Sequence, residues 1–136
     1  MNLKVSEEFG LYFARIPLTT TPHIAQGNAL KLDWVDVVPA ERVSYILGNP
    51  PFVGKKEQTP KQKEEVTAVT AGIKGAGVLD YVSAWYLKAT RFIKATRIEC
   101  AFVSTNSITQ GEQVGVLWPA LLALGVRINF AHRTFQ

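Results

Sequence analysis

The sequence predicts an α/β protein built on a layered, largely parallel sheet. Three observations carry that prediction. Val43-Ser44-Tyr45-Ile46-Leu47 is a near-continuous apolar run closed by Gly48, the pattern of a strand covered on both faces. Leu79, Val82, Trp85, Tyr86, Ala89, Phe92 and Ile93 recur at helical spacing. Runs of the first kind alternate with stretches of the second along the chain, as they do where helices cover a parallel sheet.

Taken in order, Phe9, Tyr12, Phe13 and Ile16 predict a helix within residues 3–16, closed by Pro17 and Pro22. His23–Gly27 reads as a short strand, with Asn28-Ala29-Leu30 after it. Asp33–Pro39 reads as a loop or a single turn. The strand at 43–47 follows. Residues 54–74 are polar, with Lys55, Lys56, Lys61, Lys63 and Lys74 set against Glu57, Glu64 and Glu65. They predict a solvated excursion with one helical turn near Pro60–Ala68. Gly72, Gly75 and Gly77 lead into a helix from about 78 to 95, whose Ser83, Lys88, Arg91 and Lys94 share the polar side. With no preceding strand and no following Lys-Ser/Thr, these glycines are hinge and cap residues, not a phosphate loop.

Ile98–Ser104 is a strand containing Cys100. Thr109-Gln110-Gly111-Glu112 has capping-box form and predicts a helix start. Pro119 either kinks that helix or opens a second short one. Gly125 is the expected C-cap, and Val126–Ala131 the last strand. In such sheets ligands sit beyond the carboxyl ends of strands. Asn28, Asn49 and Asn106 each follow a predicted strand.

Composition narrows the classes. A chain of 136 residues with 47% hydrophobic and 19% charged content is one globular domain at most. The net charge of +4 permits a polyanionic partner. Cys100 is the single cysteine, so no internal disulfide forms, which suits a reducing, cytoplasmic compartment. No apolar run is long enough to span a membrane. His23 and His132 lie far from any Cys or carboxylate cluster, so no metal site is expected.

The richest stretch is Leu47-Gly48-Asn49-Pro50-Pro51-Phe52-Val53-Gly54. Each residue that precedes a proline is pushed into extended backbone. Pro50 and Pro51 carry no N–H. The stretch therefore offers acceptors without donors: the Asn49 side-chain oxygen and the carbonyls of Asn49 and Pro50. That edge suits a group presenting two N–H bonds, such as an NH2. Phe52 adds an aromatic face for a planar ring. A plain Asn-Pro turn is the competing reading.

Asn-Pro-Pro-Phe resembles the catalytic motif of amino-group DNA methyltransferases. The wider text, LGNPPFVGKKEQ, GAGVLDYVSAWYLKA, FVSTNSITQGEQVGVLWP and INFAHRTFQ, resembles the methyltransferase domain of the MmeI-like family of single-chain restriction–modification enzymes. The resemblance covers most of the chain. It implies part of a class I, Rossmann-like sheet and methyl transfer from S-adenosylmethionine to adenine N6 in DNA. It implies a flipped adenine held by Asn49, Pro50, Pro51 and Phe52. Asn28, with Leu30, then stands where the family contacts the adenine of the methyl donor. The family often has an acidic residue there, whereas an Asx-turn is the structural reading of Asn28. Phe135 takes the place of an aromatic that stacks on the flipped base. Lys55 and Lys56 become candidate phosphate contacts. Asp80 is read first as a favourable charge at a helix N-terminus.

The family's glycine-rich donor loop and the acidic residue that holds the ribose do not occur in this sequence. The expectation is a central segment of the domain, lacking the first two strands and belonging to a larger restriction–modification polypeptide. Met1 then reads as an internal methionine. Two alternatives stand beside this one. A protein-glutamine methyltransferase needs the same acceptors, although that family usually has Tyr where Phe52 stands. The other alternative is an inactive remnant.

Overall fold

The computed structural model describes residues 22–132. The helix expected within 3–16 and the residue Phe135 lie outside the described residues. The elements run α1 (Trp34–Val37), a 3-10 turn (Ala40–Arg42), β1 (Tyr45–Gly48), α2 (Pro60–Val69), a second 3-10 turn (Ala76–Val78), α3 (Ser83–Ile93), β2 (Glu99–Phe102), a third 3-10 turn (Asn106–Thr109) and α4 (Val114–Ala123). β1 and β2 pair in parallel, with Ile46 opposite Cys100 and Gly48 opposite Phe102. The fold is therefore mixed helix and strand around a small parallel sheet.

The core lies among the helices. Leu79, Val82, Leu87, Leu117 and Leu121 are almost fully buried there, joined by Val66 and Val69 of α2. The sheet leans on this core through one face. Phe102 packs edge-on against Tyr86, which meets Trp118 in turn. Gly48 makes that approach possible, because a Cβ there would stand 2.9 Å from the Phe102 ring. The other face is bare: Tyr45 and Leu47 are 67% and 78% exposed. The expectation that this strand is covered on both faces is corrected, since all the packed helices lie on one side.

Two predicted strands are also corrected. His23–Gly27 and Val126–Ala131 are irregular and largely exposed. A strand exists only by pairing, and neither segment finds a ladder partner among the described residues. The second does lie close to the sheet, where Asn129 Nδ2 donates to Glu99 Oε1 at 3.2 Å.

The helices hold three more surprises. The expected single turn near Pro60 is a ten-residue helix. Thr59 caps it, with Gln62 reaching back to the Thr59 N–H in a true capping box. Thr109 begins no helix; it closes the third 3-10 turn, with its Oγ1 donating to Asn106 O at 2.8 Å. α4 starts at Val114 and continues as one helix past Pro119, which is exposed, so no second helix opens there and water can reach the carbonyl that the proline leaves unpaired. Gly125 ends it at φ 88°, the left-handed position that favours glycine.

The expected polar side of α3 is mixed: Arg91 and Lys94 are exposed, whereas Ser83 and Lys88 are turned to protein partners. Ser83 is buried. Lys88 Nζ donates to the carbonyls of Leu30, at 2.8 Å, and Leu32, and lies 5.6 Å from the Trp34 ring centre. Burial lowers the Lys88 pKa. The segment from Leu30 to Trp34 is thereby pinned to α3.

Candidate functional site

The motif sits at the carboxyl end of β1. Val103 N–H donates to Gly48 O at 3.0 Å, so the loops leaving β1 and β2 start side by side. Pro50 is buried and anchors the turn, while Asn49 and Pro51 are exposed. Phe52 is 44% exposed. It stands on the rim of a cleft of about 220 Å³ whose walls include Gly54, Glu57, Asp80, Thr105 and Ser107. Thr105 Oγ1 and Ser107 Oγ share a hydrogen bond at 2.7 Å.

Two networks hold the motif loop from behind. In the first, Asp80 Oδ1 accepts the Lys55 N–H at 2.9 Å. Its Oδ2 accepts from Gln113 Nε2 at 2.6 Å. The same Gln113 amide donates to Ser107 O at 2.7 Å, and its oxygen accepts from the Asp80 N–H and the Ser83 hydroxyl. One buried glutamine thus ties the two loops to the starts of α3 and α4. Asp80 does lie near a helix start, as expected, but its carboxylate is spent on these bonds.

In the second network, Tyr81 N–H donates to Val53 O at 2.9 Å. The Tyr81 hydroxyl donates to Glu65 Oε2 at 2.5 Å. Glu65 Oε1 accepts from Asn28 Nδ2 at 2.9 Å and lies 3.8 Å from Lys31 Nζ. Hydrogen bonding from Tyr81 holds the Glu65 carboxyl below its usual range against the opposing effect of burial. Burial and the bond to Glu65 push the Tyr81 phenol up to about 12. The grouping of Glu65 with a solvated charged loop is corrected: its side chain is 2% exposed.

The remaining candidates are placed as follows. Asn28 is half-buried and forms an Asx-turn, with Oδ1 accepting the Leu30 N–H at 2.9 Å. The Leu30 side chain belongs to the core. Lys55 and Lys56 are exposed beside the motif. Asn106 opens the third 3-10 turn beyond β2 and is exposed, so it shares an edge with Asn49. Asn28 follows no strand in the described structure; Glu65 and Tyr81 connect it to that edge instead. Cys100 is half-buried within β2, and burial pushes its thiol up to about 11, which disfavours the thiolate. Sequence reasoning passed over Glu65, Tyr81 and Gln113.

Comparison with known proteins points to one class. "DNA methyltransferase A" of Bacillus subtilis (strain 168) is 40% identical over 123 residues, which is 89% of this chain and 14% of that protein. A solved structure of the Type IIL restriction–modification enzyme MmeI in complex with DNA is 61% identical, with a TM-score of 0.83 over 98% of this chain and 18% of that one. The class is DNA methyltransferase. More narrowly, the family model described as "MmeI, DNA-methyltransferase domain" matches residues 1–136, and the chain belongs to that family. It spans less than a fifth of the length of either relative. Among the described residues, no helix is long and apolar enough to cross a membrane.

Proposed function

We propose that this chain is the catalytic-loop segment of a site-specific DNA methyltransferase that acts on adenine N6. The observation that carries the reading is the exposed Asn49 at the end of a parallel strand, followed by two prolines that carry no N–H, with Phe52 on the rim of the adjacent cleft. An adenine inside a duplex cannot be reached, so the target is flipped out. Its NH2 donates to the Asn49 side-chain oxygen and the Pro50 carbonyl. These acceptors draw the nitrogen lone pair away from the ring and aim it outward. Phe52 stacks on the ring. The work is orientation and electrostatics, and no covalent nucleophile is called for. Lys55, Lys56 and Phe135 are assigned to the DNA side.

S-adenosylmethionine supplies the electrophilic methyl in this reading. Asn28 fits its adenine end, because the carboxamide keeps one N–H and one lone pair beyond the bonds to Glu65 and Leu30. The sheet is read as part of a class I, Rossmann-like domain, and this chain as one segment of a longer restriction–modification polypeptide. The ribose and methionine ends of the donor are assigned to residues outside this chain, because its sequence contains no glycine-rich donor loop.

The test is direct. DNA treated with the full-length polypeptide is digested and its methylated nucleosides are separated. N6-methyladenine is expected. Asn49→Ala is expected to lower the rate on the order of a hundredfold or more, with DNA binding retained. Near-normal turnover by that variant, or a methyl group found on another base, overturns the assignment.

A further inference from the structure

The bonds around Asn28 fix more than its position. The Leu30 N–H can only donate, so it must face the amide oxygen; the Glu65 carboxylate can only accept, so it must face the amide nitrogen. The two neighbours together determine which way the amide is turned. Neither alone is as firm, since an isolated amide flips at little cost in space. Beyond those two bonds the Asn28 carboxamide retains one N–H on its nitrogen and one lone pair on its oxygen. That pairing complements an adenine edge, where an NH2 donor stands next to a ring-nitrogen acceptor. Hypoxanthine presents the opposite order at its six-position edge, a carbonyl beside a ring N–H.

Glu65 is itself held. It is a buried carboxylate on α2, and the Tyr81 hydroxyl bonds its second oxygen. Tyr81 in turn supports the motif loop through its N–H to Val53 O. The chain Asn28–Glu65–Tyr81–Val53 joins the Asn28 turn to the loop that carries Phe52. No other network among the described residues connects them.

We propose that Glu65 is a positioning residue that sets the hydrogen-bond polarity of Asn28 toward the adenine ring of the methyl donor, with Tyr81 locking the carboxylate in place. This rests on the reading of Asn28 given above. Glu65→Gln keeps one acceptor oxygen and replaces the other with an NH2, so Asn28 and the Tyr81 hydroxyl no longer both face a fixed acceptor. The amide at 28 then loses its fixed order and discriminates less between an adenine edge and its reversed counterpart.

The experiment uses the full-length polypeptide and two probes, S-adenosylhomocysteine and its inosine counterpart, with Kd measured by titration calorimetry. The unaltered protein is expected to prefer the adenine probe by about tenfold or more. Glu65→Gln is expected to narrow that ratio by about fivefold or more. A purely structural role for Glu65 would weaken both probes together and leave the ratio unchanged, and that result overturns the proposal. Should Glu65→Gln fail to fold, Tyr81→Phe stands in for it. That variant frees the carboxylate and is expected to narrow the ratio about threefold; an unchanged ratio overturns the proposal equally. Asn28→Ala separates the two levels of the argument. If it alters neither Kd nor the ratio, the reading of Asn28 as a donor contact falls, and the role of Glu65 falls with it. If Asn28→Ala lowers the preference while Glu65→Gln and Tyr81→Phe do not, the donor contact stands and the positioning role alone is lost.

Discussion

Gln113 Nε2 stands 2.6 Å from Asp80 Oδ2, and this bond joins the entry of α4 to the loop behind the Asn49–Phe52 motif. Gln113 is buried, with 6% of its surface exposed. Asp80→Ala leaves this amide and the Lys55 N–H short of an acceptor. It is expected to cost about 1.5–3 kcal/mol of stability by denaturant unfolding. In the full-length polypeptide, methylation is expected to fall by about tenfold to a hundredfold, because a small displacement of a catalytic loop suffices. Asp80→Asn keeps an acceptor for Lys55 but turns an NH2 toward Gln113, so its effect should fall between the two. Wild-type turnover in Asp80→Ala would remove Asp80 from the support of the site.

Phe52 occupies the rim of the cleft and is not part of the core. Its replacement should therefore affect base binding more than folding. Phe52→Leu is expected to weaken capture of an extruded base by about 1–3 kcal/mol, with Phe52→Tyr and Phe52→Trp better tolerated. A fluorescent base analogue at the target position reports this. Equal signals from the Leu and Trp variants would exclude stacking.

Glu65 gives the fold an acid-sensitive element. Its folded pKa lies below the ordinary 4.5, chiefly through the Tyr81 hydrogen bond. The ionised carboxylate therefore stabilises the fold fully above that ordinary value. The stabilisation fades as pH falls from 4.5 through the folded value, since protonation removes the charge that Tyr81 and Asn28 bond. Glu65→Gln is expected to lose about 1–3 kcal/mol at pH 7 and to show a shallower further decline below 4.5 than the parent. Parallel acid-unfolding curves for the two proteins would show that Glu65 does not contribute to this dependence.

The bare sheet face predicts association. Tyr45 and Leu47 project from β1 on the side away from the helices, and Val103 is 59% exposed beyond β2. Among the described residues the outer edge of β1 is also unpaired. Open edges and exposed apolar faces invite pairing with other chains. The 136-residue chain alone is expected to scatter light in a concentration-dependent way. Tyr45→Glu combined with Leu47→Lys should suppress this. Calorimetry on that dispersed variant is expected to show no micromolar binding of S-adenosylmethionine. A well-behaved parent monomer that binds the donor would contradict both expectations.

Much of the architecture was legible where the signal is local and long. The helix expected from about 78 to 95 appears as α3, Ser83–Ile93, because seven apolar residues repeat on one period. Gly125 ends α4 as read, since the left-handed turn needs a residue without Cβ. The two runs around Ile46 and Cys100 are strands, and they pair in parallel. Short signals served less well. His23–Gly27 has strand composition but no ladder, and Thr109–Glu112 has capping-box letters without the helix. The same pattern, with Gln in place of Glu, forms the real box at Thr59 and Gln62, at the head of a helix that buries Val66 and Val69.

By itself, then, the sequence determined the chemistry of the motif edge. Pro50 and Pro51 after Asn49 offer carbonyl acceptors and no backbone donor, and that follows from covalent structure alone. It also determined which stretches have an apolar stripe to bury. Only the tertiary structure decided which polar residues do the holding. Glu65 read as one charge in a solvated run, yet it is buried because Tyr81, 16 residues on, and Asn28, 37 residues back, both bond it. Gln113 carried no signal in the sequence, yet it bonds Asp80, 33 residues away. A buried polar side chain is stable only if its partners are present, and partners that far apart along the chain leave no local pattern to read.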